Sequence, residues 1–162
     1  MPSGIVHAKT TLFLTLPSAA LAYGASAALS PREAMLNAGA AALGCLAGIP
    51  LTPDLDQETL STSEYWLIKW TLGLGFLWTM LWYPYARLCK HRSPLSHWPI
   101  VGTAGRLAYG AIFVAIAITL GWQPPLISAV PAGCAVVGLL ISDIAHWALD
   151  TKFGDKPRRR SR

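Results

Sequence analysis

Two imidazoles stand at the ends of His91-Arg92-Ser93-Pro94-Leu95-Ser96-His97, a segment whose proline rules out one smooth helix. Asp143, His146 and Asp150 follow at i, i+3 and i+7, which on a helix places them within about 60° of arc. Asp54 and Asp56 come directly after Pro53, and in extended backbone their carboxylates point to one side. His7 precedes Thr10 and Thr11 at the mouth of an apolar stretch. A mixed imidazole and carboxylate set suits a divalent metal: zinc first, with manganese or iron as alternatives. A hydrolase would use such an ion to generate hydroxide and to polarise a phosphoryl or acyl oxygen. Asp54, Asp56 or Asp150 would serve as ligand or general base, and Arg92 would hold an anionic group. Each feature also has a plainer reading. Asp150 can be solvated where a helix leaves the membrane, Asp54 and Asp56 can sit in an ordinary polar loop, and His7 can cap a helix. His91 and His97 can belong to a basic loop that binds lipid phosphate through Lys90 and Arg92.

The elements that must position these groups are apolar. Of 162 residues, 53% are hydrophobic and 13% charged, whereas a soluble domain carries about a quarter charged residues. The length allows a single helical membrane domain over 1–150, followed by a basic cytoplasmic tail over 151–162. The net charge of +5 does not point to nucleic acid. The basic residues lie beside apolar segments and in the tail, as anionic lipid headgroups require. Cys45, Cys89 and Cys134 show no Cys-x-x-Cys spacing, so neither a disulfide framework nor a thiolate zinc site follows, and Cys45 and Cys134 read as small buried hydrophobes.

Uncharged or nearly uncharged spans are expected over 12–29, 34–51, 99–121 and 126–150. The first also resembles a signal peptide with Ala25-Ser26-Ala27 as a cleavage site, but a retained helix is simpler and keeps His7. Ser30-Pro31-Arg32-Glu33 starts the second helix, in which Gly44 and Gly48 form a Gly-x-x-x-Gly. Arg106 lies two turns into the third span, from where it can snorkel back towards the helix start. The stretch 64–88 is ambiguous, since Trp66, Trp70, Trp78 and Trp82 belong at a membrane interface and not at mid-bilayer. If it spans, the fold has five spans and the polar groups split into half-sites about 30 Å apart. If it stays at one surface, four spans bring His7, Asp54, Asp56, His91, His97, Asp143, His146 and Asp150 to one face. Lys9, Lys69, Arg87, Lys90, Arg92, Lys152 and the tail fall on that face too, with Arg32 opposite. The positive-inside rule makes it cytoplasmic. The expected fold is therefore an all-α integral membrane bundle of four spans plus an interfacial Trp-rich helix.

The ordered set formed by His7 with Thr11, Pro53-Asp54-Leu55-Asp56, His91 to His97, and Asp143-Ile144-Ala145-His146-Trp147-Ala148-Leu149-Asp150 resembles a family of uncharacterised bacterial metal-binding membrane proteins, common in cyanobacteria. More distantly it is similar to the LexA-regulated inner-membrane metal-dependent hydrolases. The resemblance covers nearly the whole chain and implies that those eight residues are the metal-site candidates. The chain departs from the hydrolase-like pattern at Ser93-Pro94, at Ser96 and at Gln57.

The leading expectation is a metal-dependent hydrolase at the cytoplasmic surface of a bacterial inner or thylakoid membrane, with both termini cytoplasmic, acting on a phosphoester or lipid-derived substrate. The alternative is a non-catalytic scaffold or assembly subunit in which a metal staples helix ends and the Trp-rich segment binds a membrane complex. Transport has little support, because no expected span carries an acidic residue near its middle. The expected partners are membrane lipids and a membrane protein complex, not nucleic acid.

Overall fold

The computed structural model describes residues 4–57, 59–90 and 93–154, and among them every regular element is helical. The elements are α1 (Gly4–Ala25), α2 (Pro31–Ala47), a 3₁₀ turn (Pro53–Asp56), α3 (Thr62–Trp70), α4 (Gly75–Leu88), α5 (Pro94–His97), α6 (Pro99–Thr119) and α7 (Ala129–Gly154). His91, Arg92 and the tail from Asp155 onward lie outside the described residues.

Local chemistry sets the boundaries. Ser30 caps α2 through a capping box with Glu33, and Pro31 occupies the first turn, where its missing N–H costs nothing. Ser61 and Glu64 repeat the box at the start of α3. Proline opens α6 at Pro99. The Trp-rich stretch is not one helix. Leu72 and Gly73 adopt positive φ (52° and 95°), and the Thr71 hydroxyl accepts the Gly75 N–H at 2.6 Å, so the chain turns back on itself. Gly75 packs against the α3 backbone so closely that a Cβ would lie 2.5 Å from the Ile68 nitrogen. The result is a hairpin of 9 and 14 residues. Neither arm reaches the roughly 20 residues that a membrane crossing needs.

Three helices, α1, α6 and the Ala129–Thr151 part of α7, are long and apolar enough to cross a membrane. α2 has 17 residues and stops just short of that length. The bundle centres on α1, α2 and α7, with α6 against α7 and α5. α2 and α7 approach backbone to backbone. A Cβ on Gly44 would stand 1.9 Å from the Ala135 carbonyl oxygen, and one on Gly138 would stand 2.0 Å from that of Ala41. Gly48, the second glycine of the motif, meets the Ser142 side chain instead. We predict that Gly138→Val lowers the midpoint of unfolding in detergent, at a cost of about 1–3 kcal/mol from overpacking. Gly133→Val on the same helix, where a Cβ meets open space, should leave it unchanged.

The interior is mostly polar. Asn37, Thr103, Arg106, Asp143 and His146 are buried, while Leu12, Phe13, Leu16, Leu43 and Ile116 face outward. One compact apolar cluster, Leu55, Trp82 and Tyr85, holds α4 against the 3₁₀ turn, and Tyr109 ties α6 to it by donating to the Leu81 carbonyl at 2.8 Å. Burial pushes the Tyr85 phenol above its ordinary range, so it stays neutral there. Cys45 is fully buried, whereas Cys134 is only half-buried.

Candidate metal centre

The start of α1, the end of α7, the 3₁₀ turn and α5 meet at one end of the bundle, and each delivers part of one cluster. His7 lies one turn into α1, and its Nε2 is 3.2 Å from Asp150 Oδ1. Its ring stacks on His146, centroids 3.9 Å apart and planes 19° from parallel. His146 sits one turn before Asp150, with Nε2 3.5 Å from Asp150 Oδ2. His97, the last residue of α5, points its Nε2 at the same Oδ2 (3.7 Å) and at Asp54 Oδ1 (3.8 Å), and His146 Nε2 is also 3.8 Å from Asp54 Oδ1. Two overlapping groups result, His7/His146/Asp150 and Asp54/His97/His146, each with ligand atoms within 4.8 Å of one another. His146 belongs to both.

The far edges of two rings are held by other groups. His97 Nδ1 faces Asp56 Oδ2 at 3.3 Å and the Ser96 hydroxyl at 3.4 Å, and His146 Nδ1 faces the Thr52 hydroxyl at 3.4 Å. An outer carboxylate on a ligating imidazole fixes its tautomer and raises its basicity. Pro53 and the Thr52 cap, which accepts the Asp54 N–H, wind this segment into a 3₁₀ turn and not the extended run in which both carboxylates would share a side. At three residues per turn, Asp54 and Asp56 diverge, and they reach opposite edges of the one His97 ring. Asp56 and Asp143 belong to neither ligand group. We predict that Asp56→Asn lowers metal affinity about 10–100-fold, the usual cost of losing an outer partner, measured by competition with a chromogenic chelator.

Asp143 is engaged one layer deeper. Its Oδ2 accepts from the Arg106 guanidinium and from the Thr103 hydroxyl. Arg106 does not snorkel: it is 2% exposed, and its Nη1 donates to the Ser96 carbonyl at 3.1 Å. α5 passes so close to α6 here that a Cβ on Gly102 would lie 2.2 Å from that carbonyl. Arg106 thus joins α7 to the segment that carries His97. The sequence held a signal for this pair, since an ionisable residue inside an apolar helix implies a partner. Arg106 lies about two turns from the start of α6 and Asp143 about three turns from the end of α7, counted from the same end of the bundle. Asp143 also stands closer to the middle of α7 than the expected boundary of 126–150 implied.

A cavity of about 240 Å³ opens beside the cluster, between α1, the 48–52 turn and α3. His7, Asp54 and His146 form its polar end, and the rest of its wall is largely apolar. Asp54 is the most open of the five clustered side chains, 21% exposed.

Three imidazoles and two carboxylates are hard and borderline donors fit for a divalent cation, and the buried Nε2 of His146 has no hydrogen-bond partner among the described residues. Fold and site together define an all-helical protein with a candidate His/Asp metal centre at one end of its bundle. The chain belongs to the family described as "Uncharacterized metal-binding protein (DUF2227)", whose model matches residues 2–152. No curated protein matches the chain, and no solved structure does.

Proposed function

We propose that this protein is a four-span membrane protein holding a divalent metal, zinc first, at the cytoplasmic end of its bundle, and that it acts there as a hydrolase on a phosphoester or lipid-derived substrate. One observation carries the reading: His7, Asp54, His97, His146 and Asp150 converge from four separate elements beside a cavity. A closed structural site has no use for such an opening, whereas a catalytic one keeps a position for water or substrate. A bound metal would supply Lewis-acid charge for a phosphoryl or acyl oxygen. The chain's own residues do the rest. Asp56 and Thr52 hold the outer ring nitrogens of His97 and His146, and Asp54, at the open side, accepts a proton from an attacking water. Arg92 is proposed, from the sequence, to hold the anionic group of the substrate.

Membrane placement rests on the apolar surfaces of α1, α6 and α7, of which little is covered within the protein. α2 continues into the 48–51 turn and makes the fourth crossing. α1 and α6 start, and α2 and α7 end, at the site end, and the basic residues that the sequence gathers beside these helix ends support cytoplasmic termini in a bacterial (or thylakoid-bearing) cell. Residues 1–150 form the membrane domain and 151–162 its basic tail, with lipids as partners.

The test is metal content by plasma mass spectrometry on full-length, detergent-purified protein without a metal-binding tag. It is followed by release of p-nitrophenol from p-nitrophenyl phosphoesters. Near-stoichiometric metal, with turnover lost in Asp54→Asn but metal retained, is the expected result. Absence of metal after metal-replete purification overturns the reading. Metal whose removal unfolds the protein, with no turnover, points instead to a stapled scaffold, a reading favoured by the four elements that the ligand set ties together.

A further inference from the structure

The cavity beside the cluster is graded along its length. At one end His7, Thr52 and His146 are buried. At the other, its wall reaches Ile5, Trp66 and Trp70, which are 40%, 43% and 79% exposed. The mouth is therefore aromatic and apolar, and it opens between α1 and α3. Ile5 and His7 both lie within the first turn of α1, so mouth and polar end share one level, the interfacial headgroup region if α1 crosses the bilayer. Gly4 sets this mouth, because a Cβ there would stand 2.6 Å from the Thr62 side chain, so the two helix starts touch. A water-facing substrate does not need an entrance of this kind, and a soluble phosphoester would leave the apolar wall unmatched.

At about 240 Å³, the cavity is smaller than the roughly 300–1,000 Å³ of sites that enclose a drug-sized ligand. It therefore suits part of one alkyl chain and not a two-chain lipid. We propose that the site takes a single-chain amphiphile with an oxyanion head, entering sideways from the membrane past Trp66 and Trp70, with its chain along the apolar wall and its head at His7, Asp54 and His146. The head recognition rests on the metal reading above; the chain recognition rests on the cavity.

The test uses metal-loaded, full-length protein in nanodiscs and the quenching of tryptophan fluorescence by 11-bromoundecyl phosphate, 11-bromoundecanoate and 11-bromoundecanol. Trp66 and Trp70 should give a saturable component that Trp66→Phe/Trp70→Phe removes, distinct from the linear quenching caused by partition into the bilayer. Ala8→Phe places a ring in the cavity wall and should raise the half-saturating concentration about tenfold or more, as expected when about two methylenes are kept out of an apolar site. Its metal content should stay unchanged. Ala8→Leu serves if Ala8→Phe does not fold. Saturation by the phosphate but not the carboxylate assigns a phosphate head, the reverse assigns a carboxylate head, and both retain the proposal. Saturation by the alcohol at equal concentration overturns the oxyanion head. Linear quenching by all three probes, with metal present, overturns the proposal and leaves the metal reading standing. A native protein without metal fails the metal reading, and a saturable component lost in Ala8→Phe still supports the chain site.

Discussion

His146→Ala should strip the protein of its metal. His146 is the side chain common to both ligand groups, and its Nε2 stands between Asp54 and Asp150. Its removal breaks both three-ligand groups at once and leaves His7, Asp54, His97 and Asp150 linked only through His97, which still faces Asp54 and Asp150. It also removes the ring on which His7 stacks. The loss in affinity should exceed the about 10–100-fold that follows from deleting an outer partner, so metal content after dialysis should fall from near-stoichiometric to background. His7→Ala should cost less, because the Asp54/His97/His146 group survives it. The measurement is metal per chain, alongside circular dichroism to show that the helices remain. Since His ligands bind deprotonated, the metal of the parent protein should also be lost progressively on acidification. Full metal content in His146→Ala would place the ion elsewhere. The same content in His7→Ala and His146→Ala would mean that the two groups do not share one site.

Much of this end of the bundle was legible in the sequence because its physics is local. The 3.6-residue period puts His146 and Asp150 on one stripe of α7 whatever surrounds them. A polar stripe in an apolar helix demands company. The capping signal at Ser30 and the spanning length of three helices are equally local, whereas the Ser61–Glu64 box starts α3 within what reads as a polar loop. The Trp-rich segment was harder. Its composition argued for an interface, but nothing in the pattern announced the reversal at Leu72-Gly73, where a non-glycine residue takes positive φ beside a glycine that takes it freely. The 3₁₀ turn was missed for a related reason. An Asp-x-Asp run reads equally well as strand or turn, and the choice fell to Pro53 and to a hydroxyl cap from Thr52. Tertiary pairs such as Arg106 with Asp143 lie furthest from local rules, since they depend on which helices meet. Depth from a common helix end was the clue available.

Arg106→Met should be among the most damaging single substitutions in the protein, and Asp143→Leu added to it should restore most of the lost stability. Arg106 and Asp143 are each 1% exposed at the side chain and pair directly. Removing the guanidinium leaves a carboxylate buried with only the Thr103 hydroxyl, and breaking such a pair costs about 3–5 kcal/mol, whereas replacing both partners by apolar groups of similar size is often neutral or better. Unfolding by sodium dodecyl sulfate in mixed micelles should therefore show a large deficit for Arg106→Met and a small one for the double variant. Purely additive single effects would mean that the pair is not coupled. Metal affinity should behave differently. Nη1 of Arg106 holds the Ser96 carbonyl one residue before His97, and that tether is missing in both variants. The double variant should regain stability while its metal affinity stays reduced. Arg106→Lys should fall between them, because one ammonium cannot span Ser96 and Asp143 as the planar fork does. Recovery of both properties in the double variant would make the pair a packing device alone. Recovery of stability without affinity assigns Arg106 a positioning role, setting α5 at the distance from α7 that the His97, His146 and Asp150 cluster needs.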